Sequence, residues 1–131
     1  AEYHWHLGYA LANLQRFDQA LEAYEQGLQR DRGNAWAWWL YGNALMAKQR
    51  FSVDIPAYAE AIQLDSTFFD AYYQLGEAQR LSGGLEAALQ AYQAALSLCP
   101  DAAEVLFAVG QCYCQGQRPD LAIPFLERAL A

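Results

Sequence analysis

Two histidines and three cysteines are the residues of this 131-residue chain best suited to hold a metal or act as nucleophiles, and their spacing argues against both. His4 and His6 are two apart, so on a helix they point roughly 200° away from each other and do not chelate one ion. Cys112 and Cys114 have the same spacing, and no second Cys or His pair completes a four-ligand site. Packing is the expected role of Cys112, and incidental exposure that of Cys114. A Gly-rich phosphate loop, a nucleophile elbow and a zinc-protease helix are all missing. No catalytic, cofactor-binding or metal-binding residue is therefore expected, and the stretch by itself does not read as an enzyme.

The aromatic residues carry more information. In Ala35-Trp36-Ala37-Trp38-Trp39-Leu40-Tyr41-Gly42 and the residues that follow, helical spacing sorts the side chains into two faces. Trp38, Tyr41, Gly42 and Leu45 form one, and Trp36, Trp39, Asn43 and Met46 form the other. One face is enough to satisfy a core, so the second is surplus.

The elements that position these faces follow from a period. Glycine recurs at 8, 42, 76 and 110, and a 34-residue spacing held through four copies marks a repeat array. The copies are 1–34, 35–68, 69–102 and 103–131, the last incomplete. Apolar residues at helical spacing predict helices near 2–14, 17–30, 36–48 and 51–64, with the same plan in copies three and four. Polar or Gly-containing breaks at Arg30–Asn34, Ser82-Gly83-Gly84, Cys99-Pro100-Asp101 and Gly116-Gln117-Arg118 read as turns. Pro119 suits a first helical turn, where its missing N–H costs little.

In register, the pattern resembles the tetratricopeptide repeat along the whole chain. Copy two supplies Trp38, Tyr41-Gly42 and Tyr58; copy three supplies Tyr72, Leu75-Gly76, Ala88, Tyr92, Ala95 and Pro100. Copy one has Leu7-Gly8, Ala20 and Tyr24, and copy four has Gly110, Tyr113, Ala122 and Ala129. The pentatricopeptide repeat is the nearby alternative, but its 35-residue period and its RNA-reading role fit neither spacing nor charge. The resemblance implies a single all-α domain, a right-handed α-α superhelix or solenoid of helix-turn-helix repeats, with first helices lining the concave side. The glycines are expected to let first and second helices approach where Ala20, Ala88 and Ala122 present small faces.

Five residues depart from the pattern. Asp54 takes the small-residue slot and is expected to cap a late helix start rather than be buried. Pro56 and Pro124 should kink or delay their helices. Arg32 and Ser66 replace the turn proline and are expected only to loosen those turns.

Most domains that this chain resembles hold an extended peptide in the concave groove. The matching positions are Trp5, Tyr9 and Asn13 in copy one and Trp36, Trp39, Asn43 and Met46 in copy two. They continue with Asp70, Tyr73, Glu77 and Arg80 in copy three, and Glu104, Phe107, Gln111 and Cys114 in copy four. The implied groove is aromatic, amide-bearing and mildly acidic, suited to a protein or peptide segment with apolar or aromatic anchors and some basic character. Tryptophan and tyrosine supply rigid contact area, and asparagines hold a peptide backbone through paired bonds. Against this stands a packing reading, in which the same aromatics fill the seam between neighbouring first helices. The clamp that relatives use for acidic chaperone carboxyl-terminal tails falls here on Trp5, Tyr9, Leu40, Asp70 and Gln74. No cation stands there, so such a tail is not the expected ligand.

Composition bounds the rest. A 55% hydrophobic, 15% aromatic chain of this length builds a sizeable core. The formal charge of −7 spreads over the copies as −2, −1, −3 and −1. A nucleic-acid partner is therefore not expected. The longest apolar run falls short of a bilayer span, and no basic-then-apolar leader opens the chain, so no membrane partner is expected either. An odd cysteine set favours a reducing compartment, and hence a cytoplasmic location. The missing initiating Met and unfinished last copy read as an excised fragment. Two other readings stay open: an architectural spacer or self-association segment of a longer array, through exposed repeat ends such as Leu121, Ile123, Phe125, Leu126 and Leu130, or a recognition domain attached to an enzyme.

Overall fold

The computed structural model describes residues 2–14, 16–47 and 51–130, with side chains described from Trp5 onward and, in the fourth helix, from Ile55. Among these residues there are eight helices and no strand: α1 (Glu2–Asn13), α2 (Phe17–Arg30), α3 (Ala35–Ala47), α4 (Phe51–Leu64), α5 (Phe69–Leu81), α6 (Leu85–Leu98), α7 (Ala103–Gln115) and α8 (Pro119–Leu130). The expected spans 17–30 and 51–64 coincide with α2 and α4, and the other two agree to within one residue. The helices form two compact units, Ala1–Ala71 and Tyr72–Ala131.

In the first unit α1 packs on α2, α2 on α3 and α3 on α4, and α1 also meets α3. The core holds Trp5, Leu21, Tyr24, Leu28, Trp38, Leu40 and Leu45, with Ala20, Ala37, Ala44, Ala57, Ala61 and Ala71 closing the gaps. In the second unit Ala88, Tyr92, Ala95, Val105, Leu106, Val109, Cys112 and Ala122 are buried. Alanines recur in both because helix axes close together leave no room for longer side chains at the crossing.

The repeat glycines answer to something other than the alanines. A Cβ built on Gly8 would sit 2.4 Å from the ring of Tyr24, one on Gly42 2.6 Å from Tyr58 and one on Gly76 2.5 Å from Tyr92. These rings are 0–1% exposed. In these three copies the second helix brings a tyrosine ring against the bare backbone of its first helix, so the expected Gly-to-Ala face is replaced by a Gly-to-Tyr one. In copy four the partner is Leu126, 2.5 Å from the same construction on Gly110.

Three turns within pairs share one backbone bond. Arg16 N donates to Leu11 O, Gly84 N to Gln79 O and Arg118 N to Tyr113 O, at 2.9, 2.8 and 2.7 Å. This wrapping bond across a helix end needs a residue in the left-handed region; Gly83 takes it at φ +93° and Gln117 at φ +60°. Between copies one and two, Asp31 Oδ1 accepts from Gly33 N (2.9 Å) and Asn34 Oδ1 caps α3 by accepting from Ala37 N (3.2 Å). One period later, Asp65 Oδ1 accepts from Thr67 N and Thr67 Oγ1, which holds the Asp65 carboxyl below its usual range.

Asp54 and Arg32 resolve differently from expectation, and of the kink or delay expected at the two prolines the delay is not found. α4 begins at Phe51, so Asp54 lies inside the helix and is not its cap; the side chains of His4, Phe51 and Asp54 lie outside the described residues. Pro56 and Pro124 are interior to α4 and α8 and delay neither start, each helix beginning five residues earlier. Arg32 does more than loosen its turn. Its carbonyl accepts from Trp38 Nε1 at 2.9 Å and its guanidinium lies 5.3 Å from the centre of the Trp38 ring, a cation–π contact that pins the turn to α3.

Candidate functional site

Within the first unit, α1 and α3 present their surplus faces on a cleft of about 240 Å³. Its walls include Tyr9, Asn13, Phe17, Tyr24, Trp39 and Asn43, with Leu40 and Ala44 among its apolar lining. Four residues that the repeat register placed together, Tyr9, Asn13, Trp39 and Asn43, thus share one cavity. The groove register did not include Tyr24, which belongs to the core and also lines the cleft, or Phe17. Tyr24 stands one and two periods before Tyr58 and Tyr92, and that position was the available signal.

The polar groups here differ in how far they are satisfied. Asn43 Oδ1 accepts from Tyr58 Oη at 2.6 Å, and Met46 Sδ lies 3.5 Å from the same hydroxyl. That leaves the Asn43 amide N–H₂ as a donor. The Trp39 indole N–H is out of water and has no hydrogen-bond partner. Trp39 is half-buried, with its ring 5.6 Å from that of Phe68. Burial, and then the neighbouring Tyr9, push the Tyr24 hydroxyl far above its ordinary ionisation, so it stays a neutral donor.

The other first-unit candidates are placed as follows. Trp5 is 2% exposed and belongs to the core, its indole N–H buried without a partner. Trp36 is half-buried in the α1–α3 seam, 5.7 Å from His6 and 6.2 Å from Tyr9 between ring centres. Tyr9 is 47% exposed, and Asp70 is exposed. Another hollow, of about 220 Å³ between α2 and α3, is lined by Glu25, Leu28, Gln29, Arg32, Trp38 and Tyr41.

The second unit repeats the tyrosine bond with a charged acceptor. Tyr92 Oη donates to Glu77 Oε1 at 2.6 Å, while Arg80 Nη2 donates to Glu77 Oε2 at 2.9 Å. Both carboxylate oxygens are occupied, so Glu77 contributes little free negative charge. Burial works against the Arg80 cation, but bonding to Glu77 outweighs it and raises its ionisation. Burial, then Glu77 and Glu104, raise that of Tyr73, whose ring is 6.2 Å from Tyr92. Burial likewise pushes the Cys112 thiol up to about 11. Cys99, Cys112 and Cys114 are free thiols, and only Cys112 among them is buried. Phe107 is 51% exposed and Gln111 half-buried.

Among the described residues no cluster of three or more His, Cys, Asp or Glu is placed to hold a metal. None of the described helices is long and apolar enough to cross a membrane.

Two family models, each described as tetratricopeptide repeat, match residues 2–67 and 67–131. The chain belongs to the tetratricopeptide repeat family. Solved structures agree with an all-α helical-repeat solenoid: a crystal structure of MamA is 26% identical with a TM-score of 0.95, covering 98% of this chain and 75% of that one. Another crystal structure of MamA protein has the same identity and TM-score and is covered to 70%. MamA 41-end from Desulfovibrio magneticus RS-1 is 22% identical with a TM-score of 0.94 over 98% of this chain and 73% of that one, a likeness of fold alone. Comparison with curated proteins gives no match. Tetratricopeptide repeats are protein-interaction and scaffold modules that bind protein partners, and this is the function class of the chain.

Proposed function

We propose that this tetratricopeptide-repeat chain captures an extended peptide segment through the surplus faces of α1 and α3, with the cleft beside Trp39 as the anchoring point. The observation that carries this reading is the cleft itself, which brings Tyr9, Asn13, Trp39 and Asn43 to one cavity. At about 240 Å³ it is smaller than the roughly 300–1,000 Å³ of small-molecule pockets. It suits one side chain of a longer ligand. Exposed Tyr9 and half-buried Trp36 flank it with rigid aromatic area of the kind that dominates binding hot spots. Basic residues in the ligand act at longer range, since a charge of −7 steers cationic segments in a salt-dependent way.

The test is peptide display on the full chain, counter-selected on a Trp36→Ala/Trp39→Ala variant of checked helicity. Selected peptides are expected to lose about 2 kcal/mol or more of binding, roughly thirtyfold, on Trp39→Ala. Unchanged affinity, measured calorimetrically, rejects the placement. A self-association reading draws on Leu14 (66% exposed) on the first unit and Ile123 (54%) and Leu130 (89%) on the second. Sedimentation as a dimer with no peptide selected would favour it.

A further inference from the structure

Asn43 lines the cleft, and what it offers there is decided by Tyr58, which is not part of the lining. Asn43 Oδ1 lies 2.6 Å from Tyr58 Oη. That separation is ordinary for O–H···O and short for N–H···O, so the hydroxyl donates to the amide oxygen. The reverse arrangement, with the amide N–H₂ at the hydroxyl, does not fit it. The Met46 sulfur, 3.5 Å from the same hydroxyl, is the weaker acceptor and does not draw the proton away. Tyr58 is 0% exposed, so no water takes over the bond, and its ring is held against the backbone of Gly42. An asparagine turns easily about its last torsion and its two ends are alike in shape. This one is held a single way round.

Each end of the amide then has its own role. The oxygen is turned to a fully buried hydroxyl, whereas the N–H₂ has no partner among the described residues and is not sealed from water. Paired donor and acceptor bonds to a peptide strand, the expectation for an asparagine on this face, need both ends. Asn43 has its donor end to give. The other copies show that the second-helix residue makes this difference. In copy three Tyr92 Oη donates to Glu77 Oε1 at 2.6 Å, again turning one oxygen of the residue after the glycine inward. In copy four Leu126 stands against Gly110, so Gln111 meets no hydroxyl from that position.

Resting on the peptide-capture reading above, we propose that Tyr58 is a positioning residue for ligand recognition, fixing Asn43 as a donor that takes a backbone carbonyl of the captured segment. The described lining residues carry no charge, so a neutral carbonyl fits where a carboxylate, stripped of water with no cation to meet it, does not. Backbone carbonyls recur at every residue, so the contact sets the path of the segment rather than its sequence.

The experiment titrates the ¹⁵N-labelled chain with acetyl-Ala-Ala-Phe-Ala-Ala-amide, a neutral probe with one aromatic anchor. It follows the Asn43 side-chain N–H₂ signals, assigned by Asn43→Ala, and the Trp39 indole signal, assigned by Trp39→Phe. Expected is a saturating downfield shift of one Asn43 N–H₂ proton, with the Trp39 signal moving in parallel. Tyr58→Phe keeps the ring against Gly42 and should weaken binding about three- to tenfold, yet by less than about twofold when Asn43 is already alanine. Tyr92→Phe, which deletes the matching bond in copy three, should leave the affinity unchanged and so controls for general loosening. Equal weakening by Tyr58→Phe in both backgrounds would mean that Tyr58 supports only the fold and would overturn the proposal, as would unchanged affinity in the single variant. If the probe moves Trp39 but not Asn43, the proposal falls and peptide capture stands. If it moves neither, both fall.

Discussion

Glycine inside a helix costs about 1 kcal/mol relative to alanine, so replacing it should stabilise unless the space is taken. At Gly42 the space is taken by the ring of Tyr58, whose position is fixed by full burial and by its bond to Asn43. Gly42→Ala is expected to lose about 1–2 kcal/mol net, overpacking outweighing helix propensity. Gly110→Ala meets the branched end of half-buried Leu126 instead, which has rotamers to move into, and should cost less than about 1 kcal/mol. Urea unfolding of both variants checks the order. Thiol chemistry offers a second residue-scale test. With Cys99 and Cys114 exposed and the Cys112 thiol raised to about 11 by burial, a disulfide reagent near pH 8 should titrate two thiols quickly and the third only on unfolding. Three fast thiols would show that Cys112 is reached without unfolding.

At the scale of elements, the turns that close the α5–α6 and α7–α8 pairs each hold a left-handed residue, and the chain meets that demand unevenly. Gly83 supplies it between α5 and α6 without strain, whereas Gln117 supplies it between α7 and α8 at φ +60°. Gln117 is exposed and its side chain shields no core. Gln117→Gly is therefore expected to stabilise the α7–α8 pair by about 0.5–1 kcal/mol, the left-handed penalty outweighing the added freedom of the unfolded chain. A raised urea midpoint with unchanged slope is the expected result; a lowered midpoint would mean that Gln117 makes contacts worth more than its backbone strain. The bond from Arg118 N to Tyr113 O is the feature that glycine should preserve.

For the molecule as a whole, three buried weak acids among the described residues bear on the alkaline limit. Cys112 ionises at about 11 in the folded chain against 9.0 free, and Tyr24 and Tyr92 are both raised above 10.0, mainly by burial. From about pH 9 upward the unfolded chain sheds these protons before the folded one does. The folded state then binds more protons, so its stability falls as pH rises. The thermal midpoint should hold from about pH 7 to 9 and drop steadily beyond, most steeply above 10. Tyr92→Phe should flatten that drop while weakening the chain at neutral pH through loss of the Glu77 bond. A midpoint level to about pH 11 would mean that these groups are not desolvated.

The 34-residue glycine period and the helix spans were legible in the residues alone, because helical periodicity and turn chemistry are local; that the glycines face tyrosines rather than alanines was not. The same register put Tyr9, Asn13, Trp39 and Asn43 on one face, and they share one cleft. Tertiary structure decided what periodicity does not contain: which neighbour covers each side chain. Trp5 and Trp39 hold equivalent places in the repeat, yet Trp5 is sealed in the first core while Trp39 opens on the cleft. Glu77 looked like free acidity until Arg80 and Tyr92 took both its oxygens. Tyr24 is a core ring that also lines the cleft. A side chain's face follows from its own helix, and so does a neighbour one turn away such as Arg80 beside Glu77, but the tyrosine partners of Asn43 and Glu77 stand 15 residues away on another helix, and those contacts exist only once the helices have packed.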